Sequence, residues 1–312
     1  MFGSRPVRTR HVSAAVVTLA LSPALCAGAV PVAVADDGPD PARPVDIGGG
    51  RRVTLDCRGS GSPTVVLVSG AGGASDEWTH IVDAARPEAE PRPDPSAVLP
   101  EVARFTRVCA YDRPGTTRLD GTPNRSTPVT GPTTAAAGVE DLRATLAAAG
   151  EHPPYVLVGA SWGAMIASLY ARTEPARTAG LVTVDGASPF LKDTLTPAQW
   201  ATWIDKIRST NPGKGLETPD YPAAVRELRA APAPPRGLPA VVLTSDRPWD
   251  LAVGGGSTWP AWLAAQRRLA EELRARHVTD TDSGHGIAVE RPRLVARVIH
   301  DVVEQARAGQ ER

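Results

Sequence analysis

Residues 159–163 read Gly-Ala-Ser-Trp-Gly, so a serine stands between two glycines in the pattern G-x-S-x-G. The segment follows the apolar run 156–158 and precedes a helical pattern, which places Ser161 where a strand turns directly into a helix. A strained turn of this kind presents the serine hydroxyl above the sheet, and small neighbours let strand and helix approach each other. Ser161 is therefore the candidate nucleophile for acyl transfer. A tight turn with an idle serine is the alternative.

His285 is the best placed of the six histidines to be the general base that a nucleophilic serine needs. It follows the last predicted strand, has a glycine on each side and comes after Ser161 in chain order. The other five fall in the N-terminal segment, on helical patterns, before two prolines or at a strand start, which favours surface or packing roles. A purely structural loop histidine is the alternative for His285.

The elements that must position these residues alternate along the chain. Short valine-rich runs bounded by glycine and proline predict strands over 51–57, 64–69, 107–111, 155–159, 180–184, 238–244 and 277–280. Helical patterns cover 133–149, 165–172, about 259–276 and 291–308. Strands that alternate with helices predict a mainly parallel sheet covered by helices.

The alternation breaks at about 188–236. Thr196 and Pro197 form a start signal for a helix that contains Trp200 and Trp203, and a proline-rich run ends the segment. We expect this segment to be an inserted helical cap.

The composition bounds the class of protein. The 34 Lys and Arg balance 34 Asp and Glu, so the chain has no net charge to attract nucleic acid. A hydrophobic content of 42% over 312 residues is typical of one globular α/β domain with a subdomain.

The N-terminal 35 residues have the pattern of a secretory signal peptide. Three arginines precede an uncharged apolar run that ends in Ala-Val-Ala. We therefore expect a secreted, extracellular protein with a signal peptide at 1–35, a proline-rich leader at 36–44 and the main domain at 45–312. An uncleaved membrane anchor is the alternative, although prolines interrupt the run. No stable membrane anchor is expected after cleavage.

Several segments together resemble the α/β-hydrolase superfamily over residues 45–308. Residues 69–72 (Ser-Gly-Ala-Gly) follow a strand, as the family's oxyanion loop does. Residues 111–115 (Tyr-Asp-Arg-Pro-Gly) are similar to the family's Y-D-R-x-G loop. Residues 283–287 (Ser-Gly-His-Gly-Ile) are similar to the segment that carries its catalytic histidine. The resemblance implies the α/β-hydrolase fold: a mainly parallel eight-stranded sheet flanked by helices, with a helical cap inserted after the sixth strand. It implies no metal and no organic cofactor.

The resemblance also assigns the donors that would stabilise an oxyanion. They are the backbone N–H groups of Ala71 and Trp162, with Gly70 letting the loop approach a substrate. Ser69 stands where the family usually has a histidine, so this loop departs from the pattern. Asp112 and Arg113 are interpreted as an ion pair that braces the neighbouring loop.

Two positions can supply the acid that orients His285, because the superfamily uses the ends of both the sixth and the seventh strand. Asp185 ends one of these strands and Asp246 follows the other. We favour Asp185, since relatives with a V-D-x-S-type segment and an R-P loop after the next strand often lack an acid in that later loop. Asp246 remains the alternative acid, and Asp250 is a weaker third candidate.

Cys57 and Cys109 remain after signal removal, an even pair in a chain that would fold outside the reducing cytosol. We predict a disulfide between them, with two buried free thiols as the alternative. The superfamily's strand order makes the second and fourth strands neighbours, which would bring the two cysteines together and leave their Cα atoms about 5.5 Å apart.

The function expected from these features is a secreted serine hydrolase that cleaves small-molecule carboxylic esters through an acyl-enzyme and a Ser-His-Asp triad. Trp200, Trp203 and Trp249 are candidate substrate-binding residues, although the first two can instead seal the cap helix onto the core.

Two other functions stay open. A proline iminopeptidase-like aminopeptidase is one, because Trp162 after the nucleophile resembles that family's G-x-S-W-G. Such an enzyme would need acids in the cap to bind the amine of its substrate, and Asp205, Glu217 and Asp220 are the candidates. Surface roles are the alternative for these acids. A non-catalytic ligand-binding relative is the other. Dehalogenase and epoxide hydrolase activities are disfavoured, because superfamily members with those activities have Asp at the nucleophile position.

Overall fold

The structure is a computed structural model and describes residues 42–310 apart from 84, 87, 88 and 212. The predicted signal peptide and residues 36–41 of the predicted leader lie outside the described residues.

Eight strands form the main sheet in the order β1-β2-β4-β3-β5-β6-β7-β8. The strands are β1 Arg43–Gly48, β2 Arg51–Arg58, β3 Thr64–Val68, β4 Val108–Asp112, β5 Tyr155–Ala160, β6 Thr178–Val184, β7 Ala240–Leu243 and β8 Arg276–Val278. Pairing is antiparallel between β1 and β2 and between β2 and β4, and parallel from β4 through β8. The expected mainly parallel eight-stranded sheet is confirmed.

Strand β1 has no counterpart among the strands predicted from local patterns. It begins at Arg43, so the last two residues of the predicted leader belong to the sheet. Pro44 suggested a leader, but an edge strand tolerates a proline because one side of its backbone needs no partner. Val45 and Ile47 alternate with exposed residues and bury the inner face of the strand.

Helices cover both faces of the sheet. In the described residues they are α1 Val98–Val102, α2 Ala135–Ala149, α3 Trp162–Thr173, α4 Leu191–Thr194, α5 Pro197–Thr210, α6 Tyr221–Ala230, α7 Trp259–Leu273, α8 Ile287–Glu290 and α9 Pro292–Gln310. Val66 and Val68 of β3 pack with the α2, α3 and α7 layer, whereas Val65 and Leu67 pack with α1 and α9. Within the described residues, no helix has the length and apolar character to cross a bilayer.

Short elements complete the chain. A two-stranded ribbon pairs His80–Ile81 with Arg92–Pro93, and single 3₁₀ turns occur at Ser75–Trp78 and Pro175–Arg177.

Three helices between β6 and β7 form the expected cap insertion, namely α4, α5 and α6. Helix α5 begins as predicted, with a capping box in which Thr196 Oγ1 accepts from the N–H of Gln199 and the Gln199 side chain accepts from the N–H of Thr196. Helix α6 is absent from the sequence prediction. Its Pro222 lies in the first turn of the helix, where proline is tolerated, and Asp220 caps that helix by accepting from the N–H of Ala223.

A disulfide joins Cys57 and Cys109 across β2 and β4. The two residues are direct cross-strand partners in the antiparallel ladder, and both are buried. Their Cα atoms are 4.1 Å apart, closer than the expected 5.5 Å. Directly opposite residues in an antiparallel ladder can lie as close as about 4.5 Å when they do not hydrogen-bond to each other.

Removing this disulfide should destabilise the protein. The bond closes a loop over a sequence separation of 52, so the Cys57→Ser/Cys109→Ser double variant should lose about 3 to 4 kcal/mol of unfolding free energy. Urea unfolding of the two proteins measures the difference. Alkylation of the denatured, unreduced wild type followed by mass spectrometry is the control, and two alkylated cysteines would contradict the bridge.

Candidate active site

Ser161 occupies a strained turn between β5 and α3, with φ 47° and ψ −117°. Glycines on both sides make the turn possible. A Cβ on Gly159 would lie 2.5 Å from the carbonyl oxygen of Gly163, and a Cβ on Gly163 would lie 2.2 Å from the carbonyl oxygen of Val68. The G-x-S-x-G pattern therefore follows from the packing of β3, β5 and α3.

His285 lies in the loop after β8 and contacts a carboxylate at the end of β6. Its Nδ1 is 2.7 Å from Oδ2 of Asp185, which is fully buried, while the His285 side chain is 37% exposed. A proton on Nδ1 in this bond leaves Nε2 free to accept another proton. Asp185 itself is in a positive-φ conformation, at 42°.

Four further donors bind the Asp185 carboxylate. Oδ1 accepts from the N–H of Ser245 at 3.0 Å and from Nε1 of Trp262 at 3.0 Å. Oδ2 accepts from the Ser245 hydroxyl at 2.9 Å and from Nε1 of Trp249 at 3.1 Å. Hydrogen bonds of this kind offset the cost of burying a charge, so Asp185 is held as an oriented acceptor for His285.

Of the three acids considered from the sequence, Asp185 is the one whose carboxylate contacts His285. Asp246 accepts from the backbone N–H groups of Asp282 at 3.0 Å and Ser283 at 2.9 Å, and so braces the loop that leads to His285. Asp250 accepts from the backbone and hydroxyl of Thr258 just before α7.

The loop after β3 brings Gly70, which precedes Ala71, beside the nucleophile. A Cβ on Gly70 would lie 3.4 Å from Cβ of Ser161. Within the described residues, the N–H groups of Ala71 and Trp162 donate no hydrogen bond and are free for a ligand oxygen. Ser69, at the position where the family has a histidine, donates to the carbonyl of Ala74 at 2.9 Å and fixes the turn.

A buried ion pair hydrogen-bonds to the backbone of the loop after β3. Arg113 makes two hydrogen bonds of 2.8 Å with the carboxylate of Glu217, and both side chains are at most 3% exposed. Arg113 also donates to the carbonyls of Ser69 and Gly70, and Glu217 accepts from the N–H of Gly72 at 2.7 Å. Burial alone would lower the pKa of Arg113, but the charge and hydrogen bonds of Glu217 raise it overall.

This pair corrects two sequence interpretations. Arg113 braces the loop with Glu217 rather than with Asp112, whose carboxylate accepts from the N–H of Ser75 at 2.8 Å. Glu217 is neither a surface charge nor a free amine ligand, because Arg113 occupies its carboxylate. The other two cap acids lie apart from this pair, since Asp205 is exposed on α5 and Asp220 caps α6.

Glu77 is a partly buried acid that the sequence analysis did not identify. Its Oε2 accepts from the N–H of Gly70 at 2.9 Å. Burial raises the pKa of Glu77, while the Gly70 hydrogen bond and the charges of His285 and Arg113 oppose the rise. No local pattern marks this position, because the contact with Gly70 forms only when the loop folds back.

The three tryptophans proposed for substrate binding have different surroundings. The Trp249 ring packs on the His285 ring with centroids 4.2 Å apart, in addition to its bond to Asp185. Trp203 is buried against Tyr221 with ring centroids 4.4 Å apart, and Trp200 packs on Trp203 at 5.5 Å. The Trp200 and Trp203 pair therefore joins α5 to the core.

A cleft also lies at the other end of the sheet, away from this site. A cleft of about 1040 Å³ is lined by Thr178, Ala240 and Arg276, which lie at the N-terminal ends of β6, β7 and β8. Ser161 and Asp185 lie at the opposite, C-terminal ends of their strands, where ligands bind in open α/β sheets.

One group of donors in the described part of the chain is close enough to share a metal ion, formed by Cys57, Cys109 and Glu151. The two sulfurs are already bonded to each other and Glu151 pairs with Arg107, so this group offers no free ligand set.

Breaking the buried ion pair should destabilise the protein more than breaking an exposed one. Glu217→Gln leaves the Arg113 charge buried without its partner and should lower the free energy of unfolding by about 3 to 5 kcal/mol. Asp301→Asn, which breaks an exposed pair with Arg276, should change it by at most about 1 kcal/mol. Urea unfolding measures both, and equal losses would contradict the structural role of the pair.

The fold matches solved structures at low sequence identity. A thermophilic esterase from Thermogutta terrifontis is 19% identical, with a TM-score of 0.54 over 85% of this chain and 98% of that one. A hydrolase from Pseudomonas aeruginosa is 17% identical, with a TM-score of 0.54 over 84% and 98%. A haloalkane dehalogenase from Agrobacterium tumefaciens C58 is 15% identical, with a TM-score of 0.55 over 86% and 98%. These likenesses concern the fold alone.

No curated protein matches the chain in sequence. A family model described as the alpha/beta hydrolase family matches residues 65–298, which is about three quarters of the chain. The matched region contains the turn at Ser161 and the loop of His285. The chain belongs to the alpha/beta hydrolase family.

Proposed function

We propose that the protein is a serine hydrolase that cleaves carboxylic esters of small molecules through an acyl-enzyme. The observation that carries the proposal is the combination of Ser161 on a strained turn with His285 bonded to the buried Asp185 at the same edge of the sheet. Residues in these three roles are the parts that acyl transfer by a serine requires.

In the proposed reaction, the Ser161 hydroxyl attacks the ester carbonyl carbon while Nε2 of His285 takes its proton. The negative charge that develops on the carbonyl oxygen is stabilised by the free N–H groups of Ala71 and Trp162. His285 then returns the proton to the departing alcohol. In the second half, His285 activates water, which attacks the acyl-enzyme and releases the acid and Ser161.

The chemistry of the nucleophile supports ester cleavage over the other activities found on this fold. A haloalkane dehalogenase is among the structural neighbours, but superfamily members with that activity use an aspartate where this chain has Ser161. A serine forms an acyl-enzyme that water can hydrolyse at the carbonyl carbon.

The aminopeptidase alternative loses the acids that the sequence offered for it. The Glu217 carboxylate is paired with Arg113, and the Asp220 carboxylate caps α6. Asp205 is exposed on α5. An ester substrate needs no such amine ligand. A non-catalytic role is disfavoured because the strain at Ser161 and the five donors on Asp185 serve no purpose in simple binding.

Secretion is the proposed location. The charge and apolar pattern of residues 1–35 supports it, and a buried disulfide between Cys57 and Cys109 is typical of proteins that fold in an oxidising compartment.

The proposal is tested at Ser161. Wild-type protein should hydrolyse members of a p-nitrophenyl ester panel and react with a fluorophosphonate probe, and Ser161→Ala should abolish both because it removes the nucleophile. Ser209→Ala, an exposed serine on α5, is the matched control and should behave as wild type. Undiminished labelling of the Ser161→Ala protein would rule out Ser161 as the nucleophile. An aminoacyl-naphthylamide panel run in parallel distinguishes an aminopeptidase.

The acid is tested by comparing two substitutions. Asp185→Asn should lower turnover by about 10⁴-fold, because the amide no longer holds His285 in the required tautomer. Asp246→Asn should have a much smaller effect, because Asp246 braces the loop without contacting His285. Steady-state kinetics on the same ester decide, and a severe loss confined to Asp246→Asn would reverse the assignment.

A further inference from the structure

Glu77 lies beside the nucleophile but takes no part in the proposed triad. A methyl group placed on Gly70 would lie 3.4 Å from Cβ of Ser161 and 3.9 Å from Oε2 of Glu77. The nucleophile and this carboxylate thus border the same small space, next to the free N–H of Ala71. A group on a substrate bound at Ser161 is therefore within reach of Glu77.

Among the described residues, the Glu77 carboxylate forms no ion pair. Its one hydrogen bond is the 2.9 Å contact with the N–H of Gly70, and no Arg, Lys or His nitrogen in the described ranges lies within 4 Å of its carboxylate. Arg113 is the nearby permanent cation, but its guanidinium is bound to Glu217 and to two backbone carbonyls. A partly buried carboxylate without a partner is costly unless a ligand supplies one.

The pKa of Glu77 reflects its partly buried position. Burial raises the pKa of Glu77, the Gly70 bond, His285 and Arg113 oppose the rise, and Asp76 adds to it. Burial is the largest of these effects and disfavours the charged carboxylate, and a cation bound beside Glu77 would offset it by stabilising the charged form. The Trp249 ring on His285 adds an aromatic surface at the same site, and aromatic faces attract ammonium groups.

We propose that Glu77 is a specificity-determining residue that binds a positively charged group of the substrate, so that the preferred esters carry an amino or quaternary ammonium group near the scissile bond. This inference rests on the proposed esterase function. It assigns recognition of the cation to the core loop after β3 rather than to the acids of the cap.

Matched ester pairs test the proposal, because each pair differs only in the charge. On the alcohol side the pair is butyrylcholine and its carbon isostere 3,3-dimethylbutyl butyrate. On the acyl side it is the p-nitrophenyl esters of 4-(trimethylammonio)butyrate and of 5,5-dimethylhexanoate. The readout is the ratio of kcat/KM within a pair, which cancels any effect of a substitution on the chemistry itself.

Wild-type protein should favour the cationic member of at least one pair by about 10- to 100-fold, the range expected for a charged contact. The pair that shows the preference tells which side of the ester carries the charge. Glu77→Gln should remove the preference, because the amide keeps the size of the side chain and can still accept from Gly70. Glu271→Gln, which removes an exposed acid on α7, should keep it.

A binding measurement separates this inference from the proposed function. Calorimetry on the Ser161→Ala protein should show tighter binding of butyrylcholine than of its carbon isostere, and Glu77→Gln in that background should abolish the difference. Hydrolysis of neutral and cationic esters without preference, together with equal binding, would overturn the cation site and leave the esterase in place. Glu77-dependent binding of the cationic ester without hydrolysis of any ester would support the cation site and overturn the esterase.

Discussion

The buried carboxylate of Asp185 is the contact on which the site depends. Its five donors come from three segments of the chain: the loop after β7 supplies Ser245 and Trp249, α7 supplies Trp262, and the loop after β8 supplies His285. A carboxylate taken out of water is tolerated only when its oxygens are satisfied, so these segments must close around it together. The position of the histidine is therefore a consequence of how the C-terminal third of the chain packs onto β6.

A second polar centre fixes the other side of the nucleophile. The Arg113 and Glu217 pair binds three backbone groups of the loop that carries Ala71, namely the carbonyls of Ser69 and Gly70 and the N–H of Gly72. A flexible glycine-rich loop is thereby held in one conformation, with the Ala71 N–H left free. Because Glu217 lies in the cap insertion and Arg113 in the core, the same pair ties the cap to the loop beside Ser161.

The features that the sequence predicted are those set by local geometry. The two glycines around Ser161 are required by contacts of 2.5 Å and 2.2 Å that any side chain would make, so the turn is visible as a motif. The alternation of strands and helices followed from hydrophobic runs in the same way. Strand β1 was not predicted because Pro44 was assigned to a proline-rich leader, whereas an edge strand accepts proline. Helix α6 was not predicted either, although its Pro222 lies in the first helical turn, where proline is also accepted.

The roles that the sequence did not predict depend on contacts between distant parts of the chain. Glu217 meets Arg113 across 104 positions, and Trp262 meets Asp185 across 77. No local sequence pattern distinguishes Glu217 from a surface acid or Trp262 from a packing residue. Their roles can therefore be recognised only in the folded structure. Glu77 is close to Gly70 in sequence, but its proposed role depends on its position near Ser161 and His285. These two residues follow β5 and β8, which are distant in sequence from Glu77. Sequence motifs therefore locate the reacting groups. Tertiary contacts determine which carboxylates near those groups are already paired within the protein. They leave Glu77 without an ion pair among the described residues, and on the inference above this carboxylate selects a cationic substrate group.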